Sequence, residues 1–244
     1  LKIRSRLGED CELKEMRILN RIATMTAEGV LYEADPRHAE LVIKDLGLEQ
    51  AKGVTSPGTK EEGRAKPGDT DAKQVDEKLD NDRHSIYRAI VARANYLSPD
   101  RPDIAFAVKE LARSMGSPCK GAWERLKRLA RYLKGRPRIV LKFPWQRPSA
   151  ALSIYTDADW AGDKSTRKST SGGCVMMGAH LTKAWSNTQA SLALSSGEAE
   201  CYGVVRGTSI GRGVRGTVGW CLTEVQGPAK HRLISSNGIS KRRG

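Results

Sequence analysis

The stretch Ser153-Ile154-Tyr155-Thr156-Asp157-Ala158-Asp159-Trp160-Ala161-Gly162 decides how this chain folds. Apolar and β-branched residues lead up to a carboxylate, and an Asp/Trp/Gly turn follows. That is the pattern of a strand that brings an acid to the end of a sheet, where oxygen ligands can hold a hard cation. Further on, Ser195-Ser196-Gly197-Glu198-Ala199-Glu200 places two more acids at a helix start. A strand-borne Asp and a helix-borne Glu are the minimum of a two-metal phosphodiester-cutting site. Spacing alone allows a plainer reading, a surface turn followed by a capped helix.

Working outward, the pattern predicts strands over 151–156, 172–182 and 183–186 and then a helix from Ser195, a β-β-β-α order in an antiparallel meander. Asp159 is the weaker candidate of the pair, because it already lies in the turn. Ser195 with Glu198 three residues on is a capping box. Glu200 stands about 200° from Glu198 around a helix of 3.6 residues per turn, so it is free for other work. Gly203, Gly207, Gly211, Gly213, Gly216 and Gly219 are expected to interrupt that helix, each costing up to about 1 kcal/mol in a helix interior.

Upstream, residues 83–135 read as three helices. Trp123, Leu126, Leu129, Ala130 and Leu133 form one stripe of the third. Arg125, Lys127, Arg128, Arg131 and Lys134 cover the rest, with Glu124 the only acid. A charge run is usually a solvated face, yet bases on neighbouring turns repel one another, and phosphates would relieve that cost. Arg167 and Lys168, in a Ser/Thr-rich turn, are further candidates for a backbone phosphate, with a plain polar turn as the alternative. Residues 1–82 carry 14 basic and 18 acidic side chains, net −4. Residues 83–147 carry 16 and 4, net +12, and residues 148–244 carry 12 and 6, net +6. Basic charge gathered in a middle block suits a polyanionic partner.

Near the start, 1–32 suggests a small antiparallel pair, and Asp35-Pro36 reads as the N-cap and first residue of a helix that ends near Gly47. Residues 52–82, rich in Gly, Pro and charge, read as a flexible linker. The five cysteines are scattered with no CxxC pair, so neither a zinc site nor a disulfide framework is indicated. A reducing, intracellular compartment, cytoplasmic or nuclear, fits that usage. No apolar run approaches a membrane span, so a soluble chain with no membrane partner is expected. The start at Leu1 reads as a piece of a longer product.

Several stretches together resemble the ribonuclease H domain of copia-type LTR-retrotransposon polyproteins. They are Tyr155-Thr156-Asp157-Ala158-Asp159-Trp160-Ala161-Gly162-Asp163, Arg167-Lys168-Ser169-Thr170-Ser171-Gly172-Gly173, Ala184-Trp185-Ser186 and Ala193-Leu194-Ser195-Ser196-Gly197-Glu198-Ala199-Glu200. Upstream, Tyr96-Leu97-Ser98-Pro99-Asp100-Arg101-Pro102-Asp103-Ile104-Ala105-Phe106-Ala107-Val108 and Leu129-Ala130-Arg131-Tyr132-Leu133-Lys134-Gly135 resemble the segment joining polymerase to nuclease. The resemblance weakens after Glu200.

This resemblance implies an α+β fold, a helical thumb or connection segment followed by a truncated ribonuclease H-like mixed sheet with helices. It divides the chain into a palm remnant (1–51), the linker (52–82), the basic helical thumb or connection (83–147) and an incomplete ribonuclease H-like domain (148–244). It also implies hydrolysis of RNA in RNA–DNA hybrids, with Asp157 and Glu200 as catalytic, metal-binding residues. Magnesium would be the cofactor, manganese a substitute, and the rest of the Pol polyprotein a partner. The polymerase Tyr-x-Asp-Asp signature is absent, no Asp follows Asp163, and Glu224 is the only acid after Glu200. An impaired nuclease, a non-catalytic basic module that binds nucleic acid and a relic without function all remain open at this point.

Overall fold

The computed structural model describes residues 15–19, 21–58, 77–147, 149, 151–163 and 166–223, with side chains described as far as 217. Two antiparallel sheets and five α-helices alternate along these residues. β1 (Glu15–Ile18), β2 (Arg21–Thr26) and β3 (Gly29–Ala34) form a meander, one strand more than the expected pair. β4 (Val140–Pro144) closes this sheet by pairing with β3, Val30 opposite Phe143. Gly29, at φ 155°, gives the reason for a glycine there, because a Cβ would collide with the backbone of Phe143 and Pro144.

α1 (Pro36–Asp45) starts as its sequence dictates. The Asp35 carboxylate accepts the Arg37 N–H at 2.9 Å, and Pro36 occupies the first turn, where no N–H is needed. α2 (Asn81–Leu97) is capped by Asp80, which accepts the Arg83 N–H at 2.8 Å. Two short 3₁₀ turns, Ser98–Asp100 and Pro102–Ile104, lead into α3 (Ala105–Arg113), and α4 (Lys120–Gly135) follows. Val42 of α1, Ile90 and Val91 of α2, Leu111 of α3 and Leu126, Leu129 and Leu133 of α4 fill one apolar core. The stretches 1–51 and 83–147, separate units in the sequence reading, therefore share a core among their described residues. The ends of the expected linker are also seated. Val54 packs on that core, and Leu79 donates its N–H to Pro118 O at 3.1 Å. Residues 59–76 lie outside the described residues.

Arg101, 1% exposed, joins the parts. Its guanidinium grips Asp103 through Nε (3.0 Å) and Nη2 (2.9 Å). It also donates to the carbonyls of Arg136 (2.9 Å) and Pro137 (3.1 Å), just past the end of α4. The Tyr132 hydroxyl donates to the same Asp103 carboxylate at 2.9 Å. On the other side, Asp100 accepts both Arg21 Nε and the Tyr32 hydroxyl, tying this turn to β2 and β3. Burial, and then the bond to Asp100, push the Tyr32 phenol up to about 12.

The second sheet has the order β5 (Leu152–Ala158), β6 (Thr170–Met177), β7 (His180–Thr188), wholly antiparallel among the described residues. The mixed sheet expected from the resemblance would need a parallel strand in addition. Gly178 (φ 60°) makes the β6–β7 turn, so the expected break at 182–183 lies inside β7. α5 (Ser196–Thr223) then runs without interruption. Its glycines do not break it, because Gly203, Gly207 and Gly211 recur every fourth residue on the face against β5. A Cβ at Gly207 would run into the Thr156 methyl and Ile154, and one at Gly211 into Ile154. The helix lies too close to the sheet for side chains there, which offsets the propensity cost. Gly213 faces open space instead.

Two predictions follow from this packing. Arg101→Met, which leaves the partly buried Asp103 carboxylate without its cation, should destabilise by about 3 kcal/mol in chemical denaturation. Gly207→Ala should cost about 1–3 kcal/mol through overpacking, whereas Gly213→Ala should stabilise by up to about 1 kcal/mol, both read as shifts in the denaturation midpoint.

Candidate functional site

β5 positions Asp157 by alternation. Ile154, Thr156 and Ala158 face α5, so Asp157 belongs to the opposite face. There it stands in register with Gly172 of β6, which is in register with Ser186 of β7. Gly172 contributes no side chain, leaving the row open between the carboxylate and the Ser186 hydroxyl. Pro102 and Phe106, on the α3 side, complete a cleft of about 350 Å³ over this row, with Thr170 at its border. Lys109 fixes that border by donating to the Thr170 hydroxyl at 2.8 Å, while its ammonium sits 4.5 Å from the centre of the half-exposed Phe106 ring. Asp157 has no hydrogen-bond or ion-pair partner among the described residues.

The other acids separate as the sequence pattern suggests. Asp159 lies in the turn after β5, where its carboxylate accepts the Thr170 N–H and its own N–H donates to Thr170 O at 3.0 Å. Its work is to hold the turn. Ser195 accepts the Glu198 N–H at 3.2 Å, and Glu198 accepts the Leu194 N–H at 2.7 Å and the Tyr202 hydroxyl at 2.8 Å. The Leu194 N–H, and then the Tyr202 hydroxyl, hold the Glu198 carboxyl below its ordinary range. The capping box therefore occupies Glu198 and leaves Glu200 exposed and unpartnered among the described residues.

The cleft over Asp157 does not include Glu200, which is carried by α5. No three of His, Cys, Asp and Glu are grouped closely enough to hold a metal ion among the described residues. Among the described residues, the acids of a two-metal centre are therefore not assembled as a group of three or more.

The basic candidates are partly occupied within the fold. Arg131 donates from Nε to Lys52 O at 2.8 Å, and Lys134 reaches Glu49 O, so both bind the loop that follows α1. Gly53 and Gly135 let that loop lie flush against the end of α4, since a Cβ on Gly53 would come within 2.9 Å of Gly135 Cα. Lys127 pairs with Glu124 at 2.6 Å. Lys127, Arg128 and Arg131 line a second cleft with Lys52, whereas Arg125 is not in it. The Nε atoms of Arg125 and Arg128 are buried without a partner. Arg167, in a left-handed conformation at φ 57°, and Lys168 lie on the turn between β5 and β6, a separate element. Sequence reasoning missed Phe106, Lys109 and Ser186 as neighbours of Asp157, because the cleft joins segments far apart in the chain. The Asp-Arg-Pro-Asp run at 100–103 was the available signal for the clamp.

The chain is 42% identical over 125 residues to the retrovirus-related Pol polyprotein from transposon RE1 of Arabidopsis thaliana, a match covering 50% of the chain and 8% of that protein. It is 29% identical over 205 residues to the retrovirus-related Pol polyprotein from transposon TNT 1-94 of Nicotiana tabacum, covering 82% of the chain and 15% of that protein. Retrovirus-related Pol polyproteins of transposons are thus among the relatives of the chain. It spans only a small part of the length of these Pol relatives. A further relative of the chain, secreted RxLR effector protein 161 of Plasmopara viticola, is 41% identical over 100 residues, 41% of the chain and 70% of that protein. No protein-family profile and no solved structure matches the chain. Among the described residues of this Pol-related chain, no helix is long and apolar enough to cross a membrane.

Because the Asp157 carboxylate supports no contact of the fold, Asp157→Asn should leave stability within about 0.5 kcal/mol of wild type. Thermal and urea unfolding check this, and a larger loss would assign Asp157 a structural role.

Proposed function

We propose that the chain is a section of a copia-type Pol polyprotein, a helical thumb or connection region joined to the first part of a ribonuclease H-like unit. Its ancestral activity is hydrolysis of the RNA strand of an RNA–DNA hybrid, and this copy is an impaired one. The observation that carries the reading is Asp157. It stands on the first strand of a β-β-β-α unit, without a partner, and opens onto a cleft. An acid that stabilises nothing in the fold is placed for chemistry rather than structure. The Pol relatives and the net charge of +12 over residues 83–147 support a nucleic-acid partner. Shape and 2′-hydroxyl contacts, rather than base sequence, would select the hybrid.

Impairment follows from the same residues. By resemblance, Asp157 and Glu200 would share magnesium, but the cleft over Asp157 does not include Glu200 and no acid cluster surrounds either among the described residues. Hybrid binding therefore outlives cleavage.

A labelled RNA–DNA hybrid, incubated with the chain in magnesium and then in manganese, tests this. The expected result is binding that weakens steeply with salt, without cutting. Arg128→Ala should lower hybrid affinity, while Asp157→Asn should leave it close to wild type. Cutting that disappears in Asp157→Asn would show a working nuclease and overturn the impaired reading. Absence of salt-dependent binding would overturn the nucleic-acid reading itself.

A further inference from the structure

The cleft between α4 and the loop after α1 gathers positive charge in a concave place. Glu124, Lys127, Arg128 and Arg131 stand at i, i+3, i+4 and i+7 of α4, so they share one face of the helix. Leu48, Ala51 and Lys52 form the facing wall, and the cleft measures about 460 Å³. Four bases and one acid line it, net +3, and Glu124 already pairs with Lys127 at 2.6 Å. Like charges brought together repel, and an anion carrying more than one charge relieves that cost.

The walls are held without a ligand. Arg131 donates from Nε to Lys52 O at 2.8 Å, Val54 donates its N–H to Arg131 O at 3.3 Å, and Leu48 donates its N–H to Ile43 O at 3.0 Å. Bases fixed in this way lose little freedom on binding. Arg128 adds a separate sign, a buried Nε with no acceptor among the described residues, where a ligand oxygen would satisfy it. Size and charge then select the ligand. A cleft of this volume suits one small organic molecule rather than a duplex. A phosphomonoester carries about 1.5 to 2 negative charges at pH 7, against about one for a backbone phosphodiester, and guanidinium forks match its oxygens. Leu48 and Ala51 offer apolar contact to the rest of such a molecule. We propose that this cleft binds the phosphomonoester of a nucleotide, free or at the end of a strand. The choice of a nucleotide as the carrier rests on the nucleic-acid reading above.

Fluorescence anisotropy with the full 244-residue chain tests it on a labelled RNA–DNA hybrid whose single-stranded 5′ overhang ends in a phosphate or in a hydroxyl. At fixed salt the phosphate form should bind about tenfold tighter. Arg128→Ala should remove that gain, and so should Lys52→Glu, which leaves in place the carbonyl that Arg131 holds. Adenosine monophosphate should compete the gain away and adenosine should not. A gain that adenosine monophosphate leaves intact but both variants remove keeps the site and narrows its source to strand ends. Binding of the hydroxyl form with no gain from the phosphate overturns the cleft and leaves the nucleic-acid reading standing. A gain that survives both variants places the recognition elsewhere and also overturns it. If neither hybrid binds, the nucleic-acid reading fails, and calorimetric titration with adenosine monophosphate decides the cleft alone. Binding heat that Arg128→Ala abolishes upholds the site, and no heat overturns it.

Discussion

A buried guanidinium holds the helical half of this protein in place. The Arg101 guanidinium, at 1% exposure, cannot reach water, so the fold has to supply its partners. Asp103 supplies the charge, and the carbonyls of Arg136 and Pro137 supply acceptors where a helix has just ended and carbonyls lack partners. Tyr132 completes the carboxylate. One residue earlier, Asp100 turns the other way and collects Arg21 and Tyr32 from the first sheet. Four consecutive residues, Asp100 to Asp103, thus pin a sheet, a helix end and the start of α3 to one another. A buried pair of this kind adds little net stability over a well-packed apolar core, but it is intolerant of losing one member. Its effect is to define where α3 begins.

That placement reaches the candidate site. α3 carries Phe106 and Lys109, and Lys109 reaches across to Thr170 at the start of β6. The cleft over Asp157 exists because α3 stands beside the second sheet, and α3 stands there because of the clamp. A second junction acts in the same sense. Gln146 donates to Met177 O at 2.7 Å and accepts the Ala179 N–H at 2.9 Å, while His180 Nε2 lies 2.8 Å from Pro144 O. The connection after β4 therefore grips the β6–β7 turn, and Asp157 sits on a sheet held at two places. The carboxylate shares its cleft with one other acid, Asp159, which is engaged with the Thr170 N–H, and this is why binding and cutting separate in the proposed function.

Much of this was legible locally. The Asp35-Pro36 helix start, the amphipathic stripe of α4, the strand leading to Asp157 and the Ser195/Glu198 capping box depend on residues a few positions apart, and each formed as its pattern dictates. The glycines of α5 were misjudged for a definite reason. Helix propensity describes an isolated helix, whereas Gly207 and Gly211 serve the approach of the helix to Ile154 and Thr156. The bases of α4 were half legible. Their sign and spacing could be read, but Arg131 and Lys134 serve carbonyls of residues far upstream.

The sequence by itself determined the β-β-β-α order of the second part, the helix starts at Asp35 and Ser195, the charge distribution and the separation of Glu198 from Glu200, because neighbouring residues set all of these. Only the tertiary structure decided that β4 returns to the first sheet, that the first and third segments share a core, and that Asp157 opens onto a cleft while Glu200 does not. Those outcomes depend on which faces meet, and faces are chosen by contacts between residues distant in the chain. A one-residue step along a strand reverses the face a side chain takes, so the alternation that turns Ile154 and Thr156 to α5 turns Asp157 to the cleft.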